Sequence, residues 1–168
     1  MRKYFNISGE LTQKLLTAGD NYKLSKISLT NIQKVSKCKV DLYVEKKLTG
    51  KFYILKNIEL PIGVTLEHDF SINNFQEEFS LYIKLTDGAT FTITGSIDPI
   101  ASTTVTGVNT SFLSEVSIGD EIVVSGETKT VSNIASDTSL TISSAFSDNG
   151  NDTSPDCNPT ALVDIILS

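Results

Sequence analysis

The chain has 168 residues but no tryptophan, a single histidine and only two cysteines. A zinc site or a disulfide framework is therefore not expected, because each needs several such side chains at short, regular spacing. The two thiols, Cys38 and Cys157, lie far apart in the sequence. Their scarcity fits a protein that folds in a reducing cytoplasm.

Long apolar runs are absent as well. No stretch approaches the ~18 consecutive apolar residues needed to cross a bilayer. No apolar segment follows the charged residues Arg2 and Lys3. We therefore predict neither a membrane-spanning segment nor a signal peptide, and we expect no membrane partner.

Positive charge is nearly missing from the second half of the chain. Residues 88–168 contain one lysine against 10 acidic residues, whereas residues 1–87 contain 13 of the 14 Lys and Arg against 10 acidic residues. Nucleic acid is not an expected partner, because phosphate binding depends on Lys and Arg that release counterions. The change in composition near Gly88 predicts a domain boundary.

The first part of the chain is marked by alternating apolar and polar residues. In residues 38–44 every second side chain is apolar, with Cys38 on the inner face and Tyr43 on the outer face, as in a half-buried antiparallel strand. Residues 79–85 and 161–167 also form strand patterns. With seven or so such strands and no convincing helical period, we predict an all-β fold, an antiparallel β-sandwich of jelly-roll or Ig-like type.

The second part reads as short β segments separated by turn residues. Gly119-Asp120, Ser125-Gly126 and residues 136–139 mark tight turns, and the segments between them predict a meander that closes into a small barrel. We therefore predict a host β-sandwich domain made of residues 1–87 plus 161–168. Residues 88–160 form a small β-barrel domain inserted before the last host strand. Without this insertion, the segments that flank it would be natural hairpin partners.

Few residues in the sequence are candidates for catalysis or metal binding. His68 lies in phase with the core face of its strand, and no nucleophile or second base lies near it, so we interpret it as structural. Oxygen ligands crowd one loop, where Asp148, Asp152 and Asp156 form a weak calcium candidate whose spacing departs from the EF-hand rule. The alternative is a solvated loop. We predict no catalytic residue, no cofactor and no enzymatic activity.

Two resemblances cover most of the chain. Val116-x-Ile-Gly-Asp-x-Ile122, together with Ser136-Asp-Thr-Ser-Leu-Thr-Ile142, resembles a small β module found in structural proteins of tailed bacteriophages. Thr30-Asn31, Leu60-Pro-Ile-Gly63 and Val163-Asp-Ile-Ile166 resemble small phage virion proteins. The resemblance implies a virion component, assembled in the host cytoplasm, that decorates or joins the head, neck or tail. These families supply no catalytic residues.

Two functions follow as alternatives. In the first, the sandwich binds other virion subunits and copies of itself, while the acidic barrel projects outward. In the second, loops of the barrel bind a receptor or glycan. The barrel offers only Phe91, Phe112 and Phe146 as aromatic platforms, and each lies where a core residue is expected. The structural function is therefore the better prediction.

The candidate contact residues are outward-facing tyrosines of the host strands. Tyr43, Tyr53 and Tyr82, with the lysines beside them, are chosen because tyrosine is enriched at interfaces and loses little entropy on ordering. The alternative for each is an ordinary surface residue.

Overall fold

A computed structural model describes residues 2–20, 22–73, 79–147, 150 and 155–168. It divides into two compact units. The host unit comprises Met1–Gln33, Lys37–Asp87 and Ala161–Ser168, and the inserted unit comprises Lys34–Ser36 and Gly88–Thr160. Within the described residues, no helix is long and apolar enough to cross a membrane.

Strands dominate both units. In chain order the elements are β1 (Lys3–Ser8), β2 (Thr12–Leu16), β3 (Lys23–Asn31), β4 (Cys38–Lys46), β5 (Gly50–Leu60), β6 (Thr65–Asn73), β7 (Phe79–Thr86), β8 (Phe91–Thr92), β9 (Ser96–Asp98), β10 (Thr104–Val108), α1 (Phe112–Glu115), β11 (Glu121–Val124), β12 (Glu127–Ser136), β13 (Ser139–Ile142), β14 (Asp156–Asn158) and β15 (Leu162–Leu167).

The host unit is a sandwich of two antiparallel sheets. One sheet has the order β1-β15-β3-β6 and the other β2-β7-β4-β5. Counted along the host unit, in which β15 is the eighth strand, these orders are 1-8-3-6 and 2-7-4-5. Strands one to four pair with strands eight to five, as in a long hairpin, and the hairpin is then rolled so that β15 meets β3 and β7 meets β4. This is the jelly-roll arrangement of the two sandwich types predicted.

One expectation about the host unit is wrong. The segments that flank the insertion, now β7 and β15, are not hairpin partners, because β7 pairs with β2 and β4 while β15 pairs with β1 and β3. The two strands lie in opposite sheets. Alternation along each strand predicts which face is buried, but it carries no information about which strand lies beside it.

The host core is made of the inward side chains of both sheets. Leu42, Ile83 and Ile165 are fully buried, and the alternation of β4 buries Cys38 and Val40 as predicted. Side chains of this kind stabilise a fold by about 1.5–3 kcal/mol each when they leave water completely. The core therefore depends on strands from both ends of the chain.

Two of the motifs that carry the resemblance meet around Asn31. Its side-chain amide donates to the Leu60 carbonyl (2.9 Å) and accepts from the Gln33 N–H (2.9 Å). Its backbone carbonyl accepts from the Gly63 N–H (3.0 Å). Asn31 is fully buried, so these bonds replace the hydrogen bonds to water that its polar groups lose on folding. The motif residues therefore fix the end of β3 against the turn after β5.

The inserted unit contains a seven-stranded sheet with the order β8-β14-β11-β12-β13-β10-β9. Its centre is the predicted meander, in which β12 pairs with β11 and with β13. Closure into a barrel is not confirmed, since β8 and β9 each have one neighbour in the described pairings, and it stays a prediction. A separate apolar core contains Ile122, Val131 and Leu140.

The sequence patterns did not predict the four-residue helix α1. Asp137 fixes it from another strand turn: its carboxylate accepts the Leu113 N–H (3.0 Å), and its backbone carbonyl accepts from the Phe112 N–H (3.2 Å) and the Thr110 hydroxyl (2.6 Å). Gly107 leaves the space for this packing, because a Cβ there would lie 2.9 Å from the Phe112 ring. A helix this short has no period to detect.

Asp120 is the buried polar centre of the inserted unit. Its carboxylate is fully buried and accepts the backbone N–H groups of Ser117 (2.8 Å) and Thr160 (2.9 Å). The Thr160 hydroxyl also donates to the Gly119 carbonyl (2.7 Å). The predicted Gly119-Asp120 turn therefore holds the segment that leaves the unit.

We expect Asp120→Ala to destabilise the inserted unit by roughly 2–4 kcal/mol, because one buried and one partly buried N–H group lose their acceptor. Asp137→Ala is the matched control, since the exposed Asp137 carboxylate accepts one described N–H bond and its loss should cost about 1 kcal/mol. Urea unfolding of both variants measures the difference. Equal losses would contradict this role for Asp120.

We propose that residues 1–87 with 161–168, and residues 88–160, are independently folding domains. The Ala161 N–H donates to the Asp87 carboxylate (2.7 Å), so the chain leaves and re-enters the host unit at adjacent points. Replacing residues 88–160 by a short Gly-Ser linker should leave a host unit with a β-type circular dichroism spectrum and one cooperative melting transition. A non-cooperative or unfolded product would refute the proposal.

Candidate functional site

The three predicted contact tyrosines lie in one row across a host sheet. Tyr43 on β4 is directly opposite Tyr53 on β5 and Tyr82 on β7. The Tyr43 ring lies 5.4 Å from the Tyr53 ring, at 52°, and 5.4 Å from the Tyr82 ring, at 13°. Both distances lie in the range of favourable aromatic pairs. Strand register therefore brings together residues that are distant in sequence.

The three tyrosines differ in exposure. Tyr53 is 45% exposed and Tyr82 is half-buried, whereas Tyr43 is only 4% exposed. The sequence predicts Tyr43 as an outward contact residue, and it does lie on the face opposite Leu42. However, the rings of Tyr53 and Tyr82 cover it from both sides. Tyr43 therefore offers a partner little surface in the single chain and supports the two rings beside it.

Three lysines lie over these rings. The Lys14 ammonium is 5.4 Å from the centre of the Tyr82 ring, that of Lys51 is 4.7 Å from Tyr43, and that of Lys56 is 4.5 Å from Tyr53. We call this set of three tyrosines and three lysines the tyrosine–lysine row. Each pair is attractive because a cation meets the negative face of a ring.

Lys51 is linked to the row by a second contact. Its ammonium donates a hydrogen bond to the Tyr43 hydroxyl (3.4 Å). This bond, with the charge interactions around it, raises the pKa of Lys51 above its ordinary value, so the contact with Tyr43 favours the charged form of the side chain. The outer face of the sheet is therefore both aromatic and cationic.

The neighbouring edge strand β5 is poorly suited to pairing with another strand. Its register with β4 shifts twice, between Val40 and Leu42 and between Leu42 and Tyr43. Asn57 has a left-handed backbone conformation (φ 53°), and its N–H donates to the Asp41 carboxylate (2.6 Å). Bulges and lysines are devices that discourage edge-to-edge pairing. A partner would therefore meet the face of this sheet and not its β5 edge.

The residues considered for chemistry are dispersed. His68 is half-buried on β6, where its ring stacks on Phe70 (5.7 Å), in keeping with a structural role. Burial raises the pKa of the Cys38 thiol to about 11, with a further contribution from Asp87. Burial likewise raises the pKa of Cys157. Both thiols therefore stay protonated and unreactive at neutral pH.

The calcium candidate is only partly within the described residues. Asp148 and Asp152 lie outside them, and Asp156 lies on β14, where its carboxylate accepts a hydrogen bond from the Thr92 hydroxyl (2.9 Å). In the described part of the chain, no group of three or more His, Cys, Asp or Glu side chains could hold a metal ion. The calcium site remains a sequence prediction.

No protein-family model matches the sequence, and no curated protein matches it. Two solved structures are weakly similar. The structure of infectious bursal disease virus, Gx strain, has 8% identity and a TM-score of 0.27, with 99% of this chain and 41% of that chain covered. The VP2 subviral particle of infectious bursal disease virus has 8% identity and a TM-score of 0.21, with 99% of this chain and 33% of that chain covered. The chain thus spans less than half of these viral chains, and the scores are too low to establish a shared fold.

Stability measurements should separate the supporting tyrosine from the exposed one. We expect Tyr43→Ala to cost about 3 kcal/mol in the free energy of unfolding, because a buried ring and two ring contacts are lost. Tyr53→Ala should cost about 1 kcal/mol, since its ring is already partly in water. Chemical denaturation of both variants is the test, and equal costs would show that Tyr43 does not support the row.

Proposed function

We propose that this chain is a non-enzymatic structural subunit of a virus particle that binds neighbouring subunits through the tyrosine–lysine row. The observation that carries the proposal is the strand order of the host unit. The orders 1-8-3-6 and 2-7-4-5 form a jelly roll, the architecture of many viral capsid and lectin domains. Since one fold serves many functions, the fold supports the class of protein and the surface must supply the contact.

The sequence resemblance supports a narrower form of the proposal. The motifs around Asn31 and Gly119-Asp120 resemble those of tailed-phage virion proteins, and both hold turns together in their units. In this form the chain decorates or joins the head, neck or tail of a tailed phage. It is made in the host cytoplasm and becomes part of the virion during assembly.

The row has the properties of a protein-binding surface. Tyr53 is 45% exposed, and Lys56 lies over its ring. Tyrosine gives contact area with little loss of conformational entropy, and the lysines add positive charge beside it. Because virion positions repeat by symmetry, we propose that the partners are copies of this chain and other virion subunits.

The inserted unit has a different part in this proposal. Residues 88–160 carry nine acidic residues against one lysine, which opposes close packing of copies through this unit. We propose that the acidic unit remains in solvent as a polar projection while the host unit makes the subunit contacts.

The second candidate is a receptor- or glycan-binding module. Lectin domains also use jelly rolls, so the strand order supports this class as well. The sequence assigned the binding to loops of the inserted unit, but Phe112 and Phe146 are buried there and Phe91 packs against the core. The exposed aromatic residues lie in the host unit, so this alternative is better served by a receptor or glycan site on the host unit.

Assembly should depend on the exposed end of the row. We expect Tyr53→Ala combined with Lys56→Ala to weaken self-association about tenfold or more, because exposed aromatic anchors dominate binding energy at interfaces. The molar mass of the chain, measured by light scattering after size exclusion at several concentrations, reports this loss. Occupancy on particles of the virus that encodes the chain should fall in parallel.

Tyr4→Ala is the matched control, since Tyr4 is an exposed tyrosine on β1 of the opposite sheet. It should leave molar mass and occupancy unchanged. The proposal fails if the double variant assembles and occupies particles as well as the unchanged chain does.

A further inference from the structure

The edge strand β1 has backbone groups that its own sheet does not use. In an antiparallel pair, successive residues alternately face the neighbouring strand and face away from it. The Gly9 N–H, just beyond β1, donates to the Ala161 carbonyl (2.8 Å), so Gly9 faces the β15 side. Counting back from Gly9, the residues that face β15 alternate with three that direct their N–H and C=O groups to the free side, Tyr4, Asn6 and Ser8. Among the described strands, none lies on that side.

The far side of β15 agrees with this alternation. The Ile32 N–H donates to the Leu162 carbonyl (2.9 Å), so the backbone of Leu162 faces the β3 side of the sheet. Leu162 is the residue opposite Ser8 in the register of β1 with β15. Its carbonyl is therefore turned away from β1, and the backbone groups of Ser8 are turned away from β15.

The other three edges of the host sandwich are irregular. The register of β2 with β7, of β5 with β4 and of β6 with β3 shifts at least once in each pair, whereas the register of β1 with β15 is continuous over its whole length. Charged residues also lie on these three strands, among them Lys14, Lys56 and Glu67. Irregular pairing and charge discourage the addition of another strand. By contrast, residues 4–9 contain neither a charged residue nor a proline.

The one charged residue of β1 lies at its beginning and is held by its own chain. The Lys3 ammonium is 3.4 Å from the Asp20 carboxylate and lies over the Tyr22 ring, 5.2 Å from its centre. These contacts direct the charge toward the residues that follow β2. The part of the edge from Tyr4 to Ser8 is therefore regular, neutral and open.

We propose that β1 pairs with β1 of a second copy of this chain, antiparallel, about a two-fold axis at Asn6. Tyr4 then lies opposite Ser8 of the second copy and Asn6 opposite Asn6, and each of these pairs exchanges two main-chain hydrogen bonds. On the core side of the sheet, Phe5 meets Ile7 of the second copy, which is a favourable aromatic–aliphatic pair. No like charges meet across the axis. The contact joins two four-stranded sheets into one continuous sheet.

The symmetry of the edge favours a second copy as the occupant. The residues with free backbone groups lie at equal spacing on both sides of Asn6, so one strand supplies donors and acceptors that match its own reverse direction. Such an isologous contact closes as a dimer. The inference goes beyond the proposed function and does not depend on it, because the tyrosine–lysine row lies on the other sheet of the sandwich. A copy with both contacts could be joined to more than one neighbour.

Molar mass tests the pairing. Light scattering at several concentrations is applied to the full chain with Tyr53→Ala and Lys56→Ala, which we call the row-disrupted chain, and a dimer is expected. Asn6→Pro in this chain should weaken the dimer about tenfold or more, because both bonds of the central pair are lost. Proline is tolerated here within the single chain, since the Asn6 N–H is not part of the ladder with β15.

Asn6→Ala is the matched control. It also removes the side-chain bond that Asn6 donates to the Asp164 carboxylate (2.6 Å), but it keeps the backbone N–H. The dimer should therefore persist in Asn6→Ala. Both variants should melt in one cooperative transition, which separates lost pairing from lost folding. Tyr4→Ala also leaves every main-chain bond in place, so the molar mass should not change.

Cross-linking tests the register. Asn6→Cys should form a disulfide between two copies under mild oxidation, because the Cα atoms of a hydrogen-bonded pair lie about 5.5 Å apart. Tyr4→Cys alone should not, since two copies of residue 4 are offset by roughly 13 Å along the strands. A mixture of Tyr4→Cys and Ser8→Cys should cross-link. The native thiols Cys38 and Cys157 are buried and do not compete.

Three results would overturn the inference. One is a row-disrupted chain that stays monomeric at every concentration, and another is a dimer of Asn6→Pro that is as tight as that of Asn6→Ala. The third is a Tyr4→Cys chain that cross-links to itself as readily as Asn6→Cys does. If the monomer instead binds an unrelated strand-forming peptide, with amide shifts in residues 4–8, the edge serves a foreign segment. Failure of the row is seen separately, as larger assemblies that survive Tyr53→Ala with Lys56→Ala.

Discussion

The pairing of the first host strand with the last is the constraint on which the host unit depends. β15 lies between β1 and β3 and contributes Val163, Ile165 and Leu167 to the core. The chain reaches β15 only after it has passed through residues 88–160, so the sandwich cannot be completed before the insertion has been spanned. The contact between Asp87 and Ala161 brings the two crossing points together. The insertion therefore needs close ends and a core of its own, and Phe112 and Ile122 belong to that separate core.

Local patterns predicted much of this fold. The alternation of β4 identified the buried face of Cys38 and Val40, and turn residues located the meander around Gly119-Asp120. These features depend on neighbours in sequence, which a single chain displays directly. The placement of β7 and β15 in opposite sheets was not predictable in this way, because the hydrophobic period is the same whichever strand lies alongside. The helix α1 was missed because the Asp137 turn that fixes it lies in another part of the inserted unit.

The candidate site was likewise predictable from the sequence only in part. Residue type and an outward position on the predicted strands selected Tyr43, Tyr53 and Tyr82, and strand register places them in one row. What the sequence could not supply was the burial of Tyr43, since it is covered by side chains on two other strands of its own face.

Tyr82 connects two neighbours within the row. Its ring stacks on Tyr43 and lies under Lys14, and strand register places the three residues in one line across β4, β7 and β2. Side chains that share a packed neighbour are not energetically independent. A substitution of Tyr82 would therefore disturb Tyr43 as well, so the exposed Tyr53 end of the row depends on side chains further along the same sheet.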